Sequence, residues 1–548
     1  MDKRKIIGSL FMGFAFFSVA VNAQQPLYKN ATLPVEERVN DLLGRMTLEE
    51  KILQLNQYTL GRNNNENNLG EAIKQIPAGI GSLIYFDETP ELRNAMQKRA
   101  MEETRLGIPL IFGYDVIHGF RTVYPISLAQ ACSWNTSLVE DACATAAMEA
   151  RKSGVDWTFS PMIDVARDGR WGRISEGYGE DPYTNAAFCV ASVNGYQGDD
   201  LKSSDRVAAC LKHYVGYGAS EAGMDYVYTE ISNQTLWDTY LPPYEAGIKA
   251  GAQTVMSSFN DISGTPGSGN HYTMTEILKN RWKHDGFVVS DWSAVPQLIA
   301  QGAAADSKDA ARVAFNAGLE MDMMGRCYDK HLETLVKEGT VSMERIDDAV
   351  RRILRVKFRL GLFENPYTPV AKPEERFLLP QSKAVAERLA EECIVLLKNE
   401  GGILPLQPEG ASTTTIAVMG PLLDAEKELL GNWNGHGRAE DVYPIKKALQ
   451  EEFAGRANLL FHAGCPFDGD DESQFASALE VARQADVLLL FMGERHNWSG
   501  ENCVRSTIEL PDVQSAFIAE MKKAGKPIVL ILANGRPLAL SNVEPLCD

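Results

Sequence analysis

The chain has 548 residues, which predicts two or three domains. Its hydrophobic fraction of 45% and charged fraction of 23% are those of a globular protein with large cores. The formal net charge of -19 disfavours nucleic acid and anionic membranes as partners, so we expect a neutral substrate.

Residues 1–23 have the pattern of a secretory signal peptide. Lys3, Arg4 and Lys5 precede the apolar run 6–21, and small residues allow cleavage after Ala23. The apolar run of about 16 residues is shorter than the ~20 that span a membrane. We therefore expect export to the periplasm or the medium, with no membrane attachment after cleavage.

Short apolar runs then alternate with longer helical patterns, up to residue 364. Continuous apolar runs that end in polar residues or glycine are typical of parallel strands buried on both faces. The series predicts a TIM-type (β/α)8 barrel over residues 24–364, with a doubly wound open sheet as the alternative. The predicted strands are 81–86, 109–114, 156–165, 208–215, 254–259, 286–290 and 319–324, and the clearest helices are 137–152, 236–250 and 308–317.

A second domain is predicted after a linker. An amphipathic helix at 343–363 completes the barrel, and the segment 365–381, rich in proline and charge, is the predicted linker. The rest, 382–548, is predicted to be an α/β sandwich with a mostly parallel sheet. It begins with a helix at 382–399 and has strands at 415–419, 459–462, 485–492 and 527–533.

Polar side chains follow the predicted barrel strands. In such barrels the functional residues collect at the carboxyl ends of the strands. Any one of these residues could be a helix cap or a loop hydrogen bond, so only the set as a whole indicates a site. They are Asp115, Asp164, Lys212, His213, Ser258, Asn260, Asp291 and Asp322.

The clearest strand end is the segment 287–292. A buried strand delivers the carboxylate of Asp291 to a loop, and Trp292 follows with an indole that can stack on a sugar ring. A helix-capping role for Ser290 or Asp291 is the structural alternative.

Four motifs give the chain a resemblance to a known family. They are GYDVIHG at 113–119, DGRWGRISEGYGEDP at 168–182, KHY at 212–214 and SDW at 290–292. From about residue 35 onward the chain resembles glycoside hydrolase family 3, particularly its bacterial periplasmic β-glucosidase branch. Members of that branch mostly continue beyond the point that corresponds to Asp548, so we expect the second domain to be C-terminally incomplete.

The resemblance implies that Asp291 is the nucleophile of a retaining, two-carboxylate hydrolysis. It also implies sugar binding by Asp115, Arg121, Arg173, Lys212 and His213. An ion pair with Glu176 or Glu180 is the alternative for Arg173. Pocket-wall roles for Met256 and Trp433 compete with core packing, whereas Trp292 is expected beside the sugar.

The second carboxyl group is expected from the second domain. Glu501, in the loop 498–501, matches the position of the family's general acid and base, and Glu494 at the preceding strand end is the weaker candidate. The segment 214–218 contains no histidine, although the family's N-acetylglucosaminidase branch has one there. That branch is therefore disfavoured.

The sequence predicts neither a cofactor nor a catalytic metal. It has no dinucleotide or P-loop glycine motif, no HExxH and no GxSxG. The predicted function is exo-acting, retaining hydrolysis that removes terminal non-reducing β-D-glucosyl residues from β-glucosides and β-gluco-oligosaccharides. A β-xylosidase of the same family and a non-catalytic carbohydrate-binding relative are the alternatives.

Overall fold

The structure is a computed structural model and describes residues 26–60, 73–406 and 414–548. The predicted signal peptide lies outside the described residues. Within these three ranges, no helix has the length and apolar character needed to cross a membrane.

Eight parallel strands form a closed barrel in the first part of the chain. Hydrogen-bonded pairing runs from β10 through β1, β2 and β3 to β4, and from β5 through β6 to β9. Parallel bridges Trp157–Ala208 and Val289–Met321 join these two sheets at both seams. The strands are β1 (Asn56–Leu60), β2 (Ser82–Tyr85), β3 (Ile111–Tyr114), β4 (Trp157–Thr158), β5 (Cys210–Tyr214), β6 (Thr254–Ser257), β9 (Phe287–Val289) and β10 (Asp322–Met323), with a small hairpin of β7 (Asp261–Ile262) and β8 (Thr265–Pro266) between β6 and β9.

Helices surround the barrel, so the predicted TIM-type fold is confirmed. Most are α-helices, and Leu236–Tyr240 and Tyr272–Arg281 are wound as π-helix. Those of the first part and the connection are Val35–Arg45, Leu48–Gln54, Pro90–Glu102, Ser127–Cys132, Thr136–Ser153, Pro182–Gln197, Asn233–Thr235, Leu236–Tyr240, Pro242–Lys249, Tyr272–Arg281, Ala294–Ala300, Ser307–Ala317, Tyr328–Lys337, Met343–Arg359, Pro373–Arg376 and Pro380–Glu392.

The strand β1 is the barrel strand that the apolar pattern did not predict. Its first two residues, Asn56 and Gln57, are polar yet buried. The Asn56 amide donates to the Ile52 carbonyl at 2.7 Å, and the Gln57 amide donates to the Ser82 hydroxyl at 2.8 Å. Hydrogen bonds of this kind make polar residues tolerable inside a barrel, and a search for apolar runs does not find such strands.

The second part of the chain contains a four-stranded parallel sheet, as predicted. Its order is β12 (Ala457–His462), β11 (Thr414–Met419), β13 (Val487–Gly493) and β14 (Ile528–Ala533). Separate hydrophobic clusters lie on its two faces. The accompanying α-helices are Ile445–Glu452, Phe475–Arg483 and Asp512–Lys522.

The helix before this sheet is shorter than predicted. It ends at Glu392 and not at residue 399, and the following Ile394 and Val395 are exposed and non-helical. β-Branched residues lose rotamer freedom in a helix, which favours an early end.

Candidate active site

The carboxyl ends of the barrel strands carry a connected set of charged groups. Lys212 lies within β5 and Asp115 directly follows β3. The Lys212 ammonium donates to the Asp115 carboxylate at 2.8 Å, although the lysine side chain is only 3% exposed. Strands β3 and β5, which lie on either side of β4, thus place a paired cation and anion at the barrel mouth, where both can bind sugar hydroxyls.

His213 is fixed from two sides. Its backbone N–H and its Nδ1 both contact the carboxylate of Asp164, at 2.9 and 2.8 Å. Burial, followed by the charges of Arg173 and Lys212, lowers the pKa of His213 well below its usual value, so the ring is neutral. With Nδ1–H donated to Asp164, Nε2 is left as an acceptor for the Arg173 guanidinium at 3.0 Å.

Arg173 lies at the centre of the site. Its guanidinium forms a bidentate pair with Glu176 at 2.8 and 3.0 Å, which is one of the ion pairs that the sequence left open. The same guanidinium contacts His213 and lies 3.7 Å from the carboxylate of Glu501. Arg173 therefore connects the barrel to the second part of the chain, while Glu176 holds it in place.

Asp291 follows β9 and points into this cluster. Its Oδ1 accepts the backbone N–H of Trp292 at 2.6 Å, and its Oδ2 lies 3.5 Å from His213 Nε2. That Oδ2 is buried and has no hydrogen-bond partner among the described residues. Burial raises the pKa of Asp291 to about 7; Arg173 opposes the shift, the carboxylate of Glu501 adds to it, and Lys212 lowers it. An unpaired carboxylate oxygen beside cations is the arrangement that a carboxylate nucleophile requires.

Glu501 lies on the loop after β13. The Gly500 N–H donates to the Gly172 carbonyl at 2.7 Å, and a Cβ added at Gly172 would overlap the Gly500 carbonyl oxygen. The two parts of the chain therefore meet backbone to backbone beside the site. Glu501 is 28% exposed, and its carboxylate accepts a hydrogen bond from Tyr226.

Glu494, the other candidate acid, occupies a structural ion cluster. It is buried, and its carboxylate lies 2.6 Å from Arg505 and 3.4 Å from Arg536. It also accepts the Gly535 N–H at 3.1 Å. Both carboxylate oxygens of Glu494 are thus occupied by contacts within the second part of the chain, which is typical of a structural role.

Arg121 is turned toward the second part of the chain. Its guanidinium lies 2.7 Å from Asp441 and 3.7 Å from Glu440. Its backbone N–H donates to the buried carboxylate of Glu149 at 3.1 Å. These contacts describe an ion pair between the two parts of the chain, and sugar binding by Arg121 stays a prediction.

The remaining predicted residues differ in exposure. Trp433 is 36% exposed, has a positive φ of 50°, and lies with its ring 5.7 Å from the Lys212 ammonium. Trp292 is half-buried against the barrel core, next to Asp291. Met256 ends up inside that core, so its part in the sugar site stays a prediction.

Sequence reasoning left three site groups unassigned. Asp164 was among the polar strand ends but had no role, and Glu176 was considered only as a partner for Arg173. Tyr226 was missed, because no motif links it to Glu501, 275 residues away. For the first two, the polar strand ends and the 168–182 motif were signals that could have been followed further.

The described residues contain no cluster of three or more histidine, cysteine or acidic side chains suited to a metal ion. What they offer is a carboxylate at a barrel strand end and a second carboxylate on a facing loop, connected through Arg173 and His213. Two carboxyl groups that face each other across a site are the groups that glycoside hydrolysis uses. Fold and site together define a glycoside hydrolase.

The comparisons with known proteins agree with this class. The model "Glycosyl hydrolase family 3 N terminal domain" matches residues 47–356, and "Glycosyl hydrolase family 3 C-terminal domain" matches residues 394–548. The chain belongs to glycosyl hydrolase family 3.

Relatives of known name cover nearly the whole chain. The periplasmic beta-glucosidase of Salmonella typhimurium is 37% identical over 97% of this chain and 73% of its own length. A putative beta-xylosidase of Formosa agariphila is 32% identical over 98% and 73%. A mutant beta-glucosidase of Listeria innocua, solved in complex with laminaribiose, has a TM-score of 0.88 and 35% identity, covering 93% of this chain and 71% of that one.

Proposed function

We propose that this protein is an exo-acting, retaining β-glucosidase that removes terminal non-reducing β-D-glucosyl residues from β-glucosides and β-gluco-oligosaccharides. The observation that carries the proposal is the convergence of Asp291 and Glu501 on Arg173 and its neighbours. The glucosidase names of the Salmonella and Listeria relatives support glucose as the sugar.

In the proposed reaction, Asp291 attacks the anomeric carbon on the side opposite the departing oxygen, while Glu501 protonates that oxygen. A covalent glycosyl-enzyme forms, and Glu501 then removes a proton from the water that hydrolyses it. Since Oδ1 of Asp291 is held by the Trp292 N–H, the unpaired Oδ2 is the attacking atom. Arg173 lies between the two carboxyl groups and limits their mutual repulsion.

Exo action is proposed from the charged end of the site. Asp115, Lys212 and His213 offer several charged or strongly polar groups to one neutral sugar. Hydrogen bonds to charged groups are the stronger ones, and a sugar whose hydroxyls are all occupied leaves no room for a further unit on that side. Early digestion of a long β-glucan should therefore release mainly glucose, and a mixture dominated by oligosaccharides would contradict exo action.

Trapping the intermediate tests the nucleophile. A 2-deoxy-2-fluoro glucoside with a good leaving group should label Asp291. The fluorine slows both steps, but the good leaving group keeps formation of the glycosyl-enzyme faster than its hydrolysis. Peptide mass spectrometry should find the label on the peptide that contains Asp291. A label on Asp115 or Asp322 would move the nucleophile to another strand end, and the absence of any label or turnover would favour a non-catalytic relative.

A β-xylosidase is the second candidate, because the Formosa relative carries that name. Glucose carries a hydroxymethyl group that xylose lacks, so the two activities differ in whether that group contributes to binding in the pocket. Comparing kcat/KM for 4-nitrophenyl β-glucoside and β-xyloside decides it. A higher value for the xyloside would replace the glucosidase assignment.

We also propose that the protein is exported and that its catalytic parts are a barrel domain at 24–364 and a second domain at 382–548. Export is supported by the pattern of residues 1–23 and by the periplasmic name of the Salmonella relative. Sequencing the N-terminus of the mature protein from a cell fraction tests the cleavage after Ala23.

A further inference from the structure

The loop 220–226, which follows β5, leads from the barrel to the acid-bearing loop of the second part. It passes through a short 3-10 turn at Glu221–Gly223 and stays close to the segment around Trp171. A Cβ added at Gly223 would lie 2.7 Å from the Trp171 backbone nitrogen. The Asp225 carboxylate accepts the indole N–H of fully buried Trp171 at 2.7 Å. The end of the loop is therefore fixed to the barrel side.

The same end of the loop holds the residues around the acid. The second oxygen of Asp225 accepts the backbone N–H of Asn502 at 2.7 Å. The next residue, Tyr226, donates its hydroxyl to the Glu501 carboxylate. Its ring packs edge-on against Phe259, with 4.9 Å between ring centroids. Two consecutive residues of the barrel domain thus hold the main chain beside the acid and the acid itself.

The main chain of the acid-bearing loop has separate supports. The Arg536 guanidinium, which is fully buried, donates to the carbonyls of Arg170 at 2.8 Å, Cys503 at 2.9 Å and Trp498. A change at Tyr226 therefore leaves these backbone contacts in place. The carboxyl group itself depends on fewer contacts, because the Arg173 guanidinium is 3.7 Å away.

We propose that Asp225 and Tyr226 are positioning residues for Glu501, so that the barrel domain determines the orientation of an acid that the second domain carries. This inference rests on the proposed hydrolase function. It assigns to Tyr226 a role that no family motif or sequence spacing indicated.

The test compares Tyr226→Phe with Tyr228→Phe as a matched control, since Tyr228 is an exposed tyrosine two residues away. For Tyr226→Phe we expect kcat/KM on laminaribiose to fall about 10-fold, a modest part of the 10²–10⁴ that general acid catalysis supplies. The burst of dinitrophenol from a 2,4-dinitrophenyl glucoside should stay near the parent rate, because that leaving group needs no proton. Tyr228→Phe should change neither of these two rates.

Asp225→Asn is the second variant. It keeps the size of the side chain but leaves either the Trp171 indole or the Asn502 N–H without its acceptor. We expect the same selective loss on laminaribiose, with labelling of Asp291 by the fluoro sugar retained. If this variant unfolds, as a thermal melt would show, the isosteric Tyr226→Phe still decides the question.

The inference and the proposed function fail in different ways. If the parent protein cleaves no aryl glycoside, the proposed function is wrong. If the parent cleaves aryl glycosides and the Tyr226→Phe variant has the parent's ratio of laminaribiose to dinitrophenyl glucoside rates, only the inference is wrong. Equal losses in Tyr226→Phe and Tyr228→Phe also contradict it, because the effect is then general to the loop.

Discussion

The two halves of the site are built differently. The barrel half places Lys212, His213 and Asp291 on strands or just after them, with each side chain largely buried and close to a polar side chain from another strand end. The second half offers Glu501 on a loop, 28% exposed, held by contacts that cross between the two parts of the chain. The proposed nucleophile is held within the barrel, whereas the proposed acid depends on contacts between the two parts of the chain.

This structural difference matters because the proposed roles of the two carboxyl groups make different demands on ionisation and mobility. A nucleophile must be ionised when it reacts and must be fixed in position. Asp291 is fixed at a strand end, and Arg173 and Lys212 favour its ionised form against the effect of burial. An acid and base must change protonation during each turnover, and partial exposure on a loop allows protons to exchange with water. Changes on the barrel side should therefore affect every substrate, and changes on the loop side should affect mainly substrates with poor leaving groups.

The largest effect is expected for Glu501→Ala. Without its acid, cleavage of laminaribiose should slow by about 10²–10⁴-fold, whereas dinitrophenol should still be released in a burst. The second step should slow because its water loses the base, and azide should partly restore it, being a nucleophile that needs no deprotonation. The measurement is stopped-flow release of dinitrophenol with and without azide.

Glu494→Gln serves as the control for that comparison. Its side chain is bound by Arg505 and Arg536, so the exchange should lower stability without leaving-group dependence or azide rescue. If Glu494→Gln showed both effects and Glu501→Ala resembled the parent, the roles would have to be exchanged.

A smaller effect is expected for Lys212→Met on the barrel side. Lys212 lowers the pKa of Asp291, which burial raises to about 7. Removing the ammonium raises this pKa further, and since Asp291 reacts when ionised, activity is lost at a higher pH as the solution is acidified. The acidic limb of kcat/KM should move upward, and kcat/KM at pH 7 should fall about 10- to 100-fold, as for one hydrogen bond to a charged group.

The pH dependence distinguishes the effect of the positive charge at residue 212 from the effect of this side chain's contact with the sugar. Lys212→Arg keeps the positive charge and should leave the acidic limb close to its original pH, even if sugar binding weakens. An unchanged limb in Lys212→Met would show that Asp291 titrates independently of this lysine. The profile should be recorded with an aryl glucoside, so that protonation of Glu501 does not limit the rate.

The smallest effect on catalysis is expected for Arg121→Ala. This arginine pairs with Asp441, so its loss should lower the free energy of unfolding by about 1–3 kcal/mol while KM changes little. A double-mutant cycle with Asp441→Ala measures the pair, because the two losses should not add. A large rise in KM with unchanged stability would instead support the sugar-binding prediction.

The sequence predicted the barrel side of the site better than the loop side, for physical reasons. Strand ends are a local signal, since an apolar run followed by Asp291 or Lys212 specifies both the strand and its edge. The contact of Tyr226 with Glu501 spans 275 residues and depends on the docking of two domains, which no periodicity encodes. The sequence pattern did not predict strand β1, because Asn56 is buried although its side chain is polar.

The contact between Gly172 and Gly500 sets the distance between the two parts of the chain at the site. Since the two backbones touch there, every other residue at 172 would act as a wedge that increases the gap. On the proposed function, the glycosidic bond lies between Asp291 and Glu501, beside this contact. The absence of a side chain at residue 172 thus fixes the separation of the two parts of the chain at the site. Substituting progressively larger small residues there would increase this separation in small steps.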